Sequence, residues 1–225
     1  ASLSNRMRSR RFSRFQALIE HLPRPVRILD FGGTAEFWRQ RGWDRRVDVA
    51  ITTVNLGPDP SPAPGIAHCV GDVTDLPMFD DGGFDVAFSN SVIEHLETLD
   101  RQKRMAAEMQ RIGRAIWLQT PNFWFPIEPH FHVPGWQWLS EGTRVGLLRR
   151  FRCGHRGPCP DVREAAALVR EVRLLRRREL ETLFPGAAIE AERFGGVTKS
   201  WIAHAGLADR SATSPLEAET QRAAA

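Results

Sequence analysis

The sequence has no apolar run near the roughly 18 residues that a membrane-spanning helix needs. Its first residues, "ASLSNRMRSRRFSRF", also lack the continuous apolar stretch of a secretory signal. Cysteine is scarce, three in 225 residues without framework spacing. That excludes a disulfide scaffold and fits a reducing compartment. Lysine is scarcer still, at positions 103 and 199 only, so arginine carries nearly all of the positive charge behind the formal net of +4. Such a balance suits nucleic acid, an anionic surface or an acidic substrate. A GC-rich coding sequence produces the same arginine bias, so charge alone selects no function. Internal repeats are absent, as are the G-x-G-x-x-G fingerprint and the P-loop lysine. What these absences leave is a cytoplasmic globular chain, 42% hydrophobic and long enough for one substantial core.

What is present is an alternation of strand and helix patterns. Phe12, Phe15, Leu18, Ile19 and Leu22 recur at helical spacing within 6–22, among Arg6, Arg8, Arg10, Arg11 and Arg14, predicting an amphipathic helix. "VRILDF" (26–31) reads as a buried strand stopped by Gly32-Gly33, and "TAEFWRQRG" as a short helix with Thr34 near its N-cap. Further strands are expected at 47–56, 66–70, 84–90 and 115–120. Helices are expected at 91–112, broken near Thr98 to Asp100, and at 161–183. "AAIEAERF" and "VTKSWIAH" frame Gly195-Gly196 as a terminal hairpin. The expected fold class is α/β, a mostly parallel sheet with helices on both faces and a C-terminal antiparallel hairpin. We read 1–205 as one domain, with 1–24 a capping helix, 121–160 an aromatic insertion and 206–225 a disordered tail.

In such a sheet, ligands sit beyond the carboxyl ends of the strands, where the strand order reverses. The first strand ends in Gly32-Gly33, which permits a tight turn and close backbone approach, followed by a helix N-terminus suited to an anion. The second ends in Asn55, the third in "GDVTDLP" with Asp72, and the fourth in "SNSVIEHL" with Ser89 and Asn90. Four consecutive strand ends thus form one polar rim. The ordered series "ILDFGGT … VNL … GDVTDLP … FDVAFSNSVIEHL … TPN" (26–122) resembles the class I S-adenosylmethionine-dependent methyltransferases. The chain is also similar to bacterial methyltransferases of types 11 and 12 that carry both GGT-x-x-FW and TPN-x-x-F-P-I-E-P-H. The resemblance implies a Rossmann-like class I sheet and S-adenosyl-L-methionine as cofactor. It implies that Gly32, Gly33 and Thr34 approach the methionine part, with Asp30 bracing their loop. Asn55 would face the ribose, Asp72 and Val73 the adenine, and Ser89 and Asn90 the sulfonium. The family's first motif is usually D-x-G-x-G-x-G, and its second strand more often ends in Asp or Glu; this sequence departs from both.

The stretch "TPNFWFPIEPHFHVPGWQW" (120–138) packs six Phe and Trp, two His and four Pro into nineteen residues. It is expected to wall an acceptor pocket, since apolar faces exclude water and hold a nucleophile in line. An alcohol acceptor benefits from a base. The candidates are His130 with Glu128 orienting it, then His132 and His95. These residues suit methyl transfer to oxygen on a small molecule or glycan. No metal is expected. "SVIEH" (91–95) has Ser where a metal-binding E-x-x-E-H motif would have Glu, and Cys153, His155 and Cys159 lack a clear fourth ligand. Residues 150–160 read instead as a Gly-rich lid. The alternatives are an RNA methyltransferase using the arginines of the first helix and of "VRLLRRRE" (172–179), and a non-catalytic binding protein of the same fold.

Overall fold

The computed structural model describes residues 3–207. Its elements are α1 (Leu3–Leu18), β1 (Val26–Phe31), α2 (Ala35–Arg39), β2 (Val49–Asn55), β3 (Ile66–Val70), β4 (Phe84–Asn90), α3 (Leu99–Ile112), β5 (Gly113–Pro121), α4 (Glu141–Arg150), α5 (Val162–Arg170), α6 (Arg177–Leu183), β6 (Ala188–Phe194) and β7 (Val197–Ala205). Seven strands form one sheet in the order β3-β2-β1-β4-β5-β7-β6. The neighbours from β3 through β5 pair in parallel, and β7 runs antiparallel to both β5 and β6. This is the expected architecture. No helix among the described residues is long and apolar enough to cross a membrane.

β1 is buried along almost its whole length because both faces of a central parallel strand are covered. Successive residues therefore serve opposite cores. Leu29 joins α3 and α6 on one side, with Met105, Met109 and Leu180. Ile28 joins α1 and α2 on the other, with Phe15, Ile19 and Trp38. The helix break expected near Thr98 is real: Thr98 caps α3 by accepting from the Arg101 N–H. Ile93–His95 form a separate short 3-10 turn.

The structure corrects several boundaries. The second strand begins at Val49, since Val47 is almost fully exposed and pairs with nothing in the sheet. The helix expected over 161–183 is two helices with an extended joint. Leu175 enters the main core there and bridges Asn122, and the Arg173 N–H donates to the Glu94 carbonyl at 2.7 Å. Residues 150–160 are no lid over the cavity. Cys153 and Cys159 are buried with Phe131, Trp136, Leu148, Ala165 and Val169 in a third, small core between α4 and α5. The expected tail starts later than residue 206, because Leu207 is buried in the α1 core; the rest of that expectation, 208–225, lies outside the described residues.

Candidate active site

The strand order reverses between β1 and β4, so the chain departs in opposite directions from two adjacent carboxyl ends and leaves a crevice. A cavity of about 500 Å³ occupies it, a size suited to a small organic ligand. α1 closes one side with Met7, Arg8, Arg11, Phe12 and Phe15. The floor comes from Phe88 and Asn90 of β4 and from Trp117 and Gln119 of β5, and the far wall from Phe125, Ile127, Pro129 and His130. Arg11 ties roof to floor. Its Nη1 donates to Asn90 Oδ1 at 2.8 Å and Gln119 Oε1 at 2.7 Å, and its other edge grips Glu192 on β6. Three further cations line the space, Arg8, Arg41 and Lys199.

The far wall carries a charged cluster. Glu128 is fully buried and accepts from the His130 and Phe131 backbone N–H groups at 2.7 Å each. Its other oxygen lies 2.5 Å from His130 Nδ1. Pro126 and Pro129 stiffen this turn. Burial opposes a charge on His130, but the Glu128 bond and the charges of Glu128 and Glu94 outweigh it, so the imidazole titrates above its ordinary range. His95 stands edge-on to His130 with ring centroids 4.7 Å apart. Burial and the neighbouring His130 push its titration down. Glu94 is fully buried; Thr120 donates to its Oε2 at 2.9 Å while Oε1 has no partner. Burial raises its carboxyl to about 7.

The glycine loop is built around a buried acid. Asp30 accepts from the Trp38 indole N–H at 2.8 Å. Burial lifts its carboxyl to about 7 against the pull of that bond and of Arg41. Gly32 has φ +75°, and a Cβ there would strike Val92; a Cβ on Gly33 would lie 1.8 Å from Asp30 Oδ2. The raised acidity makes a pH prediction. The folded state holds the Asp30 proton more tightly than the unfolded chain does. Its stabilising contribution is full below about pH 4 and fades as pH rises through about 7. Unfolding stability measured from pH 5 to 8 should therefore fall by roughly 2–3 kcal/mol more in the native protein than in Asp30→Asn. Parallel pH curves would remove Asp30 from the account.

Comparison with known proteins gives a partial family match and a shared topology. A family model described as a methyltransferase domain matches residues 34–115. A solved structure from Methanosarcina mazei, described as a SAM-dependent methyltransferase, superposes over 84% of this chain and 95% of its own, with TM-score 0.51 and 12% identity. Residues 34–115 thus match a methyltransferase-domain model, within a sheet whose topology this solved structure shares. A structure described as a putative Zn-dependent alcohol dehydrogenase from Rhodobacter sphaeroides matches comparably, over 84% and 87% of the two chains, with TM-score 0.52 and 13% identity. A shared sheet therefore speaks to topology and leaves chemistry to the site. An uncharacterized protein of Mycobacterium tuberculosis is 41% identical over 51 residues, 23% of this chain. The match spans about a sixth of that relative's length.

Around this cavity the sequence-derived residues divide. Thr34 and Asn90 line the cavity, with His130 opposite and Glu128 behind it. Asn55, Asp72 and Val73 lie outside it, at the ends of β2 and β3. The Asn55 amide donates to the Gly32 carbonyl at 3.3 Å, which ties the end of β2 to the glycine loop. Asp72 is engaged by Thr74 and by Arg101 at 3.1 Å. Burial opposes its ionisation, yet those partners hold its carboxyl below the usual range.

Four expectations need correction. Ser89 does not face the crevice: it is fully buried and donates to the Phe31 carbonyl at 3.2 Å. The pleat turns alternate residues to opposite faces, so Phe88 and Asn90 reach the cavity and Ser89 turns away from it. Ser91, at φ +57°, lines it instead and donates to Gln119 at 2.9 Å. His132 is exposed and packs edge-on to His155 at 5.1 Å, because the chain between it and His130 plunges Phe131 into the third core. The α2 N-terminus is not free for a ligand anion, since Ala35 N–H donates to Asp59 at 2.7 Å. The aromatic segment is likewise only part wall, with Trp136 in the third core and Trp124 and Trp138 half exposed.

Five of the arginines expected to meet RNA are engaged within the protein. Arg173 binds Gln102 and Glu179, Arg177 binds Glu181, and Arg176 lies over the Phe123 ring at 4.5 Å. On α1, Arg11 and Arg14 bind Glu192 and Glu190.

Proposed function

We propose that this chain moves a methyl group from S-adenosylmethionine to an oxygen of a small molecule or saccharide held in the cavity. The observation that carries the reading is the placement of the buried Glu128–His130 pair on the wall of a capped cavity beside the Asp30-Gly33 loop. The cofactor would lie along the strand ends, its methionine part at Gly32, Gly33 and Thr34. Its ribose would meet Asn55 and its adenine Asp72 and Val73, leaving the sulfonium near Asn90 at the cavity mouth. Residues 1–24 and part of 121–160 would close the acceptor side of a domain spanning 1–205. The three unpaired thiols, Cys69, Cys153 and Cys159, suit the cytoplasm.

The chemistry is an in-line displacement. S-adenosylmethionine would supply an electrophilic methyl group, its carbon–sulfur bond breaking toward sulfur as the acceptor oxygen bonds the carbon. The acceptor proton passes to Nε2 of His130, and Glu128 stabilises the imidazolium through Nδ1. Apolar side chains such as Phe12, Phe125 and Ile127 exclude water from the reacting pair.

Calorimetric titration with S-adenosylmethionine and S-adenosylhomocysteine tests the reading. Micromolar binding, about 8 kcal/mol, is expected. Asp72→Ala should weaken both ligands by roughly tenfold or more, the loss of a charge-assisted hydrogen bond. Folded protein that binds neither ligand would overturn the proposal, and unchanged affinity in Asp72→Ala would refute the adenine assignment.

A further inference from the structure

At Glu94-His95 the sequence holds only part of a metal-binding motif, but the fold brings a third ligand to it. Glu94 and His95 arrive from the turn after β4, and His130 from the far wall. One ligand atom from each lies within 4.8 Å of the other two, the one such cluster among the described residues. An ion at about 2.0–2.1 Å from each would draw such atoms to ~3.3 Å separation, a side-chain adjustment. Three features distinguish this cluster from a chance meeting of polar groups. Glu94 Oε1 is wholly buried without a partner, which is a costly condition for a carboxylate oxygen. Thr120 fixes the other oxygen of the same carboxylate. Glu128 occupies His130 Nδ1 and leaves Nε2 for a ligand, the carboxylate–imidazole arrangement that orients metal-binding histidines.

We infer that Glu94, His95 and His130 form a binding site for a divalent transition-metal ion. Two imidazoles and one carboxylate suit zinc and its first-row neighbours rather than magnesium or calcium, which prefer oxygen. Three protein ligands leave a coordination position open, as in catalytic rather than structural sites. Glu94 and His130 both line the cavity, so that position faces it. Binding of the ion stands on these side chains alone; its use rests on the reading of the cavity as the acceptor site. There it would hold and acidify the acceptor oxygen. His130 Nε2 would thus be a ligand in the metal-loaded protein and the proton acceptor only in the metal-free one.

The test is titration of chelator-treated full-length protein with Co²⁺, followed through its visible absorption, with Zn²⁺ displacement as a second readout. One equivalent per chain, showing the bands of a low-coordinate ion and displaced by Zn²⁺, is expected. His95→Gln and His130→Gln, both partly exposed and so tolerable to folding, should each weaken binding more than 100-fold. Glu128→Gln should weaken it by roughly 10–100-fold, as outer partners of metal ligands do. The double variant Cys153→Ser, Cys159→Ser should bind as the native chain does. Folded native protein that takes up no Co²⁺, or histidine variants that bind as well as native, would overturn the inference. Calorimetry with S-adenosylmethionine on the same samples separates the two proposals. Cofactor binding without metal leaves the methyltransferase reading standing, and metal binding without cofactor leaves only the ion site.

Discussion

Gly33→Ala should destabilise the protein by roughly 2–6 kcal/mol and weaken the proposed cofactor binding at this loop. The backbone at Gly33 has no left-handed φ, so the cost is purely one of space. The added carbon would lie 1.8 Å from Asp30 Oδ2 and 2.1 Å from Cγ, well inside contact distance. Asp30 cannot swing away cheaply. It is buried, bonded to the Trp38 indole at 2.8 Å, and surrounded by the core that α1 and α2 share. Overpacking of this kind costs about 1–3 kcal/mol, and an indole N–H orphaned by displacement of the acid adds about 1–3 kcal/mol. For a chain of this size that corresponds to a fall in melting temperature of roughly 10 °C. Gly42→Ala is the control, since Gly42 has φ +71° but open space around it. A double-mutant cycle makes the cause explicit. Gly33→Ala should cost far less in an Asp30→Ala background, where the obstructing carboxyl is gone. Additive effects would show that the glycine serves the turn and not the acid.

That pair also shows which parts of the site could be read from the chain. The strands, their parallel order and the terminal hairpin follow from runs of β-branched and apolar residues separated by Gly and Pro, a local signal. The Gly-Gly turn after β1 is local too. Its packing against Asp30 is not obvious from spacing, because the acid sits three residues away and meets the glycine only when the strand turns. Ser89 was legible in type but not in direction: a one-residue shift in the pleat separates a cavity residue from a buried one. His130 and Glu128 are two residues apart, and the Pro-stiffened turn between them made their meeting readable. Arg11 had no such signal. Its partners lie 79, 108 and 181 residues away, joined only when α1 folds across the sheet. The same holds for Glu94, His95 and His130, which come from two segments that share a wall only in the folded chain.

His130→Ala should lower methyl transfer by roughly 10²–10⁴-fold, the usual worth of a positioned general base. Affinity for S-adenosylmethionine should stay within about twofold, since the proposed cofactor contacts lie on the strand ends across the cavity. The measurement is transfer of labelled methyl to an acceptor identified by screening small alcohols, phenols and saccharides, with cofactor affinity by calorimetry on the same preparation. The imidazole is well placed to be essential and poorly placed to be structural. Its side chain is about one-fifth exposed, and its ring is held by one bond to Glu128 and an edge contact with His95. Truncation would leave a space at the surface of the cavity rather than a hole in a core. Glu128 is the opposite case, fully buried and accepting two backbone N–H groups, so its loss would unfold the turn as well as release the ring. Comparing the two separates chemistry from scaffold. If His130→Ala melts like native protein and loses activity while Glu128→Gln loses part of both, the imidazole acts and the carboxylate positions it. If His130→Ala transfers methyl groups at the native rate, no proton passes through this wall, and the acceptor is then one whose nucleophile needs no base.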